Sequence, residues 1–164
     1  MNWRLKLAAL TLIAAGIACR DQRQLPRAHE WALAPSDDLK AGRCDRALQA
    51  LQNVPTTERD VVWWSMFENA TTLCLYRDKN ESYRTTFLKV FSEAEPSKKE
   101  DPSFLLWYGI GLEHLNQRAD AEAKYAAAGR AARQVLATSS DHEARYEAQV
   151  VIDNLTQNRK LPAH

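Results

Sequence analysis

Glycine and proline are scarce, at 5 and 6 of 164 residues. So few turn formers argue against a β-sandwich or barrel and exclude collagen-like or low-complexity chains. Charge of either sign is not in excess: 22 Lys and Arg stand against 21 Asp and Glu, a net charge of +1. That excludes a strongly basic nucleic-acid binder and a long charge-driven disordered tail. No apolar run reaches the roughly 20 residues that a membrane-spanning helix needs. No HExxH, nucleophile elbow, Walker loop or GxGxxG occurs, and the cysteines form no CxxC pair. Hydrophobic residues make up 45% of the chain. That is enough for one domain, which at this length buries about two-thirds of its unfolded surface.

The N-terminus has the three parts of an export signal. Arg4 and Lys6 supply a positive start, Leu7 to Ala18 is uncharged and mostly Ala, Leu and Ile, and small residues precede Cys19. The competing reading, a buried N-terminal helix, leaves this charge placement without a reason. Ala15-Gly16-Ile17-Ala18-Cys19 resembles the lipobox of bacterial lipoproteins, with Ala18 as the small residue before the cysteine and Gly16 where the family prefers Leu. The resemblance implies removal of residues 1–18 and acylation of Cys19 by diacylglycerol and palmitate-type chains. Arg20 follows the cysteine instead of the Asp that retains such proteins at the inner membrane, so an outer-membrane anchor facing the periplasm is implied. Two or three acyl chains, at about 0.8 kcal/mol per buried CH₂, hold a protein firmly at a bilayer. Secretion without lipid is the alternative, with Cys19 left as a free thiol.

There are three cysteines, at 19, 44 and 74. An odd number in an exported chain needs a use for the leftover. With Cys19 lipidated and the compartment oxidising, Cys44 and Cys74 read as one disulfide. Two separate buried thiols are the other possibility.

Residues 19–30 are polar, with Arg20, Arg23 and Arg27, and read as a flexible tether. Beyond them the periodicity is helical throughout, which predicts an all-α domain over residues 31–158 and a frayed tail at 159–164. Ala47, Leu51 and Val54 share one helix face. Trp63, Phe67, Ala70 and Cys74 mark the next helix, opened by a capping box at Thr57-x-x-Asp60. Asn80 is a candidate N-cap for a helix carrying Tyr83, Phe87 and Val90. Ser92 to Asp101 contains Pro96 and is expected to be a loop. Asp101-Pro102 reads as N-cap and first helical residue ahead of Leu105, Tyr108, Leu112 and Leu115. Ala121, Tyr125 and Ala128 mark a helix that continues toward Leu136. Ser140-x-x-Glu143 opens a last one with Ala144, Ala148, Val151 and Leu155 on its buried face.

The second helices of successive pairs repeat one pattern: Ala47-Leu51-Val54, Tyr83-Phe87-Val90 and Ala121-Tyr125-Ala128. At these residues the chain resembles the tetratricopeptide repeat, a helical hairpin of about 34 residues with small residues where its helices cross. The third unit matches best, with Gly109 at the crossing. In the first, Pro35 is expected to break the leading helix. The resemblance implies an α-solenoid of about three hairpins with a C-terminal capping helix. It also implies an antiparallel contact that brings Cys44 beside Cys74, as a disulfide requires.

Chemistry is sparsely signalled. His29, His114, His142 and His164 are scattered, and the acid pairs Asp37-Asp38 and Glu100-Asp101 read as helix N-terminal charges. No catalytic residue, metal ligand or cofactor site is assigned. Trp63 and Trp64 are neighbours in sequence, so either one anchors a partner or their helix is buried on two sides. By resemblance, the lining of the concave face comes from the first helix of each pair. This assigns Glu68, Thr72, Tyr76, Leu106, Ile110 and His114 as partner-binding residues, with Leu106 and Ile110 facing a groove. The expected function is a non-catalytic, lipid-anchored adaptor or assembly factor that binds another cell-envelope protein or peptide, and no nucleic acid. The alternatives are a cell-wall enzyme or an enzyme-regulating lipoprotein, with Glu113 and His114 as its residues to test, and a soluble secreted helical protein.

Overall fold

A computed structural model describes residues 31–157; the expected signal peptide (1–18), the tether (19–30) with its lipidation residue Cys19, and the tail (159–164) lie outside them. The described residues form seven α-helices and no strand: α1 Leu33–Lys40, α2 Cys44–Gln52, α3 Val61–Asp78, α4 Ser82–Lys98, α5 Pro102–His114, α6 Arg118–Thr138 and α7 His142–Gln157. Short turns join them, and consecutive helices pack as hairpins: α1 with α2, α3 with α4, α5 with α6. Helix α3 also packs on α2 and α5, and α7 closes the end against α6 and α5.

The helix ends follow local chemistry. Asp60 caps α3, its Oδ1 accepting the Trp63 N–H at 3.0 Å, and Asp101 caps α5 through the Phe104 N–H at 3.0 Å, with Pro102 at the first position. Each carboxylate satisfies a backbone donor that the helix leaves unpaired. Lys79 (φ 54°) ends α3 in the left-handed region, and Gly42 (φ 79°) turns the chain between α1 and α2.

Several boundaries differ from the sequence expectation. Pro35 does not break α1. It is the third residue of that helix, where its missing N–H has no intrahelical partner to lose. Residues 92–98 are helical, not a loop: α4 runs through Pro96, which falls in its last turn, while Phe91 is buried and Ala94 packs on the core. A proline so near the C-terminus disturbs little of the helix beyond it. Thr57 lies in a single 3-10 turn (Thr56–Glu58), so Asp60 alone caps α3. Asp141, not Ser140, meets the start of α7, its Oδ1 accepting from the Glu143 N–H at 2.9 Å. Asp38 is buried near the end of α1 and paired with Arg43 at 2.6 Å, so it does not act as an N-terminal charge.

An aromatic cluster fixes α3, α4 and α5 together. Phe91 sits at its centre, 5.0 Å from Trp64, 5.4 Å from Phe104 and 5.1 Å from Tyr108 between ring centroids. Both tryptophans are buried, and they face opposite neighbours. Trp63 stacks on Phe67 and donates its indole N–H to the Leu51 carbonyl of α2 at 2.9 Å; Trp64 meets the rings of α4 and α5. Helix α3 is therefore buried on two sides, and neither tryptophan is available to anchor a partner.

Gly109 and Gly111 mark the closest approaches of α5. A Cβ on Gly109 would lie 2.6 Å from the Tyr125 ring and 3.3 Å from the Ala121 carbonyl oxygen of α6; one on Gly111 would overlap the Phe87 ring of α4. Two glycines on one helix thus admit bulk from both neighbours.

Cys44 opens α2 and Cys74 lies near the end of α3. Their Cα atoms are 5.7 Å apart, at disulfide distance, and both residues are buried. Arg77 covers this corner, donating to the Gly42 carbonyl at 2.6 Å and to Cys44 Sγ at 2.9 Å.

Candidate functional site

The C-terminal halves of α3 and α5 lie side by side and bring four of the six expected partner-binding residues into one hydrogen-bonded cluster. Glu68 is 1% exposed. Its Oε1 accepts the Thr72 hydroxyl at 2.8 Å and faces His114 Nδ1 at 2.8 Å. Tyr76 donates its phenol to the His114 carbonyl at 3.0 Å while its ring stays 43% exposed. The remaining two residues lie elsewhere on α5: Ile110 is half-buried against the core, and Leu106 is buried within it. Leu106 therefore faces no open groove, because α7 and α3 pack on both flanks of α5.

Chemically the cluster stabilises a buried carboxylate. Such a charge is tolerated in the interior only when paired and hydrogen-bonded. The hydroxyl and the imidazole converge on one oxygen of Glu68. A relay for nucleophilic attack orders its groups differently, with the imidazole between carboxylate and hydroxyl. Beside the cluster, Tyr125 of α6 donates its phenol to Glu113 Oε2 at 2.7 Å. Burial, and after it the bond to Glu113, pushes the Tyr125 phenol well above its ordinary range. Burial and the neighbouring Asp45 push Tyr83 up to about 12; its hydroxyl bonds Asp45 across the α2–α4 contact at 2.9 Å.

At the opposite ends of the same helices the acids gather. Burial pushes the Glu147 carboxyl of α7 up, and the charges of Asp101, Glu143, Asp60 and Asp141 push it further. These groups come from the starts of α3, α5 and α7, so the three helices present their first turns to a common region.

Among the described residues no group of three or more His, Cys, Asp or Glu side chains is placed to hold a metal ion, and no helix is long and apolar enough to cross a membrane. Two shallow cavities, of 230 and 190 Å³, lie between α4 and α6 and between α2 and α4. Both fall below the roughly 300–1,000 Å³ usual for a drug-sized ligand.

Four exposed apolar side chains were not singled out from sequence: Leu33 on α1, Leu73 on α3, and Tyr146 and Val150 on α7, at 45%, 49%, 65% and 39% exposure. A signal existed for the last two. They sit four residues apart, off the Ala144-Ala148-Val151-Leu155 face that packs inward. No family model, curated protein or solved structure matches the chain.

Proposed function

We propose that this chain is a lipid-anchored adaptor or assembly factor of the bacterial envelope. Cys19 carries the acyl anchor at the outer membrane, and a tetratricopeptide-like array of helical hairpins faces the periplasm and binds another envelope protein. The observation that carries the reading is the placement of Cys44 against Cys74. It gives two of three cysteines a structural use suited to an oxidising compartment and leaves Cys19, at the lipobox-like segment, as the remaining one. The repeat-like reading is supported by Gly109, a small residue at a helix crossing filled by Tyr125 of the following helix. Binding, not catalysis, is supported by exposed Leu73, Tyr76, Tyr146 and Val150 alongside a cluster built to bury Glu68.

Metabolic labelling with a palmitate analogue tests the anchor. Wild-type protein is expected to carry label and to fractionate with outer membranes, and Cys19→Ser to lose both. Unlabelled wild type, or label that survives the substitution, refutes the anchored reading.

A further inference from the structure

Between α4 and α6, the second helices of two successive hairpins, lies the cavity of 230 Å³, with Tyr108 and Leu112 of α5 at its base. Its lining is of two kinds. Leu88, Leu112 and Ala123 give an apolar side, and Asp120 and Lys124, one helical turn apart on α6, give a charged one. Tyr108 is 7% exposed, its ring packed on Phe87, Phe91 and Phe104, and its hydroxyl finds no hydrogen-bond partner among the described residues. A buried phenol ordinarily has one. Burial, and after it the carboxylates of Glu95 and Asp120, push this phenol above its ordinary range, so the hydroxyl faces the charged side of the cavity. Lys124 is fixed on that side: its ammonium pairs with Glu95 of α4 and lies 4.8 Å from the centre of the Tyr108 ring. An ammonium has three donors, and Glu95 takes one. Because Lys124 pairs with Glu95, Asp120 is left without an ion pair among the described residues.

A free carboxylate and an ammonium with donors to spare, about 5–6 Å apart at their Cβ atoms, complement a ligand that carries both charges on one carbon. The apolar side complements a short aliphatic branch. The volume is that of about eight waters at about 30 Å³ each, which admits a small amino acid and excludes a nucleotide, an oligosaccharide or a peptide helix. We propose that this cavity binds a free, neutral aliphatic α-amino acid of about the size of valine. The ligand's ammonium donates to Asp120 and to the Tyr108 oxygen, its carboxylate accepts from Lys124, and its branch lies on Leu88, Leu112 and Ala123. Such a ligand touches α4, α5 and α6 at once, so binding stabilises the packing of one hairpin on the next. The site includes none of the residues assigned above to a protein partner, and it needs neither that partner nor the lipid anchor.

Titration of the full mature chain with L-valine, followed by NMR of the methyl groups, tests the site. Saturable shifts are expected at Leu88, Leu112 and Ala123, with the buried methyls of Leu51 and Leu155 unmoved. Isobutylamine lacks the carboxylate and isovalerate lacks the ammonium, so each is expected to bind about tenfold more weakly than valine. Asp120→Asn, at an exposed position, is expected to weaken valine about tenfold and to leave isovalerate undiminished. Tyr108→Phe keeps the ring and its packing and is expected to cost about fivefold. Ala123→Phe, which fills the cavity from an exposed position, is expected to abolish the shifts. Glu122→Gln, on α6 but outside the cavity, is expected to change affinity by less than about twofold. No saturable shift at millimolar valine, binding of either analogue as tight as valine, or undiminished valine binding by Asp120→Asn or Ala123→Phe overturns the proposal.

Discussion

Gly109→Ala separates a packing glycine from an incidental one. In an exposed helix this substitution stabilises by about 1 kcal/mol, because alanine restricts the unfolded chain and favours the helix. Here the added methyl would stand 2.6 and 2.7 Å from two carbons of the Tyr125 ring and 3.3 Å from the Ala121 carbonyl oxygen. The ring cannot swing aside cheaply: Tyr125 is 3% exposed and its hydroxyl is held by Glu113. Forcing a methyl into such a contact costs about 1–3 kcal/mol, and the upper end applies because the ring is held and the other neighbour is a backbone oxygen. The helix gain offsets about 1 kcal/mol of this, leaving a loss of about 1–2 kcal/mol. Urea unfolding followed by far-ultraviolet circular dichroism, without reductant, measures it as a lower midpoint at unchanged slope. Tyr125→Leu, which opens the space, is expected to couple favourably with Gly109→Ala in a double-mutant cycle. A neutral or stabilising Gly109→Ala, or two strictly additive substitutions, refutes the close crossing of α5 and α6.

Two other outcomes follow from the same structure. Joining Cys44 to Cys74 closes 30 residues of chain, so Cys44→Ala with Cys74→Ala is expected to cost about 3.5 kcal/mol from the unfolded-state constraint, read as a lower urea midpoint; an unchanged midpoint sinks the pairing. Burial and the charges of Asp101, Glu143, Asp60 and Asp141 hold the Glu147 carboxyl above its ordinary 4.5, so the unfolded chain releases this proton first and ionisation favours unfolding as pH rises past that value. Glu147→Gln should therefore raise the melting temperature at neutral pH, with the gain gone below about pH 4, where both states hold the proton; a gain independent of pH contradicts the electrostatic origin.

Helix identity was legible because the apolar positions repeat at helical spacing and because Asp101 sits where a cap is needed, whereas Asp60 reads as the partner of a Thr57 cap and is itself the cap. The disulfide distance was legible too, since antiparallel packing brings the start of α2 to the end of α3. Two prolines misled in the same direction. Pro35 and Pro96 look like breaks, and each lies within a turn of a helix end, where the lost hydrogen bond or the ring clash matters least. What decides between a break and a tolerated proline is how many flanking residues the core holds. For Pro96 that is set by Phe91 and Ala94 meeting other helices, a tertiary fact that the local pattern does not contain.

The site was half legible for a related reason. Glu68, Thr72, Tyr76 and His114 stand out because polar groups interrupt two otherwise apolar helices, and helices running side by side bring such interruptions together. Leu106 illustrates the opposite case. In α5 the residues Phe104, Leu105, Leu106, Tyr108 and Leu112 are all buried, so the apolar positions go nearly all the way round the axis and name no open side. Leu106 is buried because α3, α4, α6 and α7 all pack on α5, a tertiary arrangement that the helical pattern does not contain.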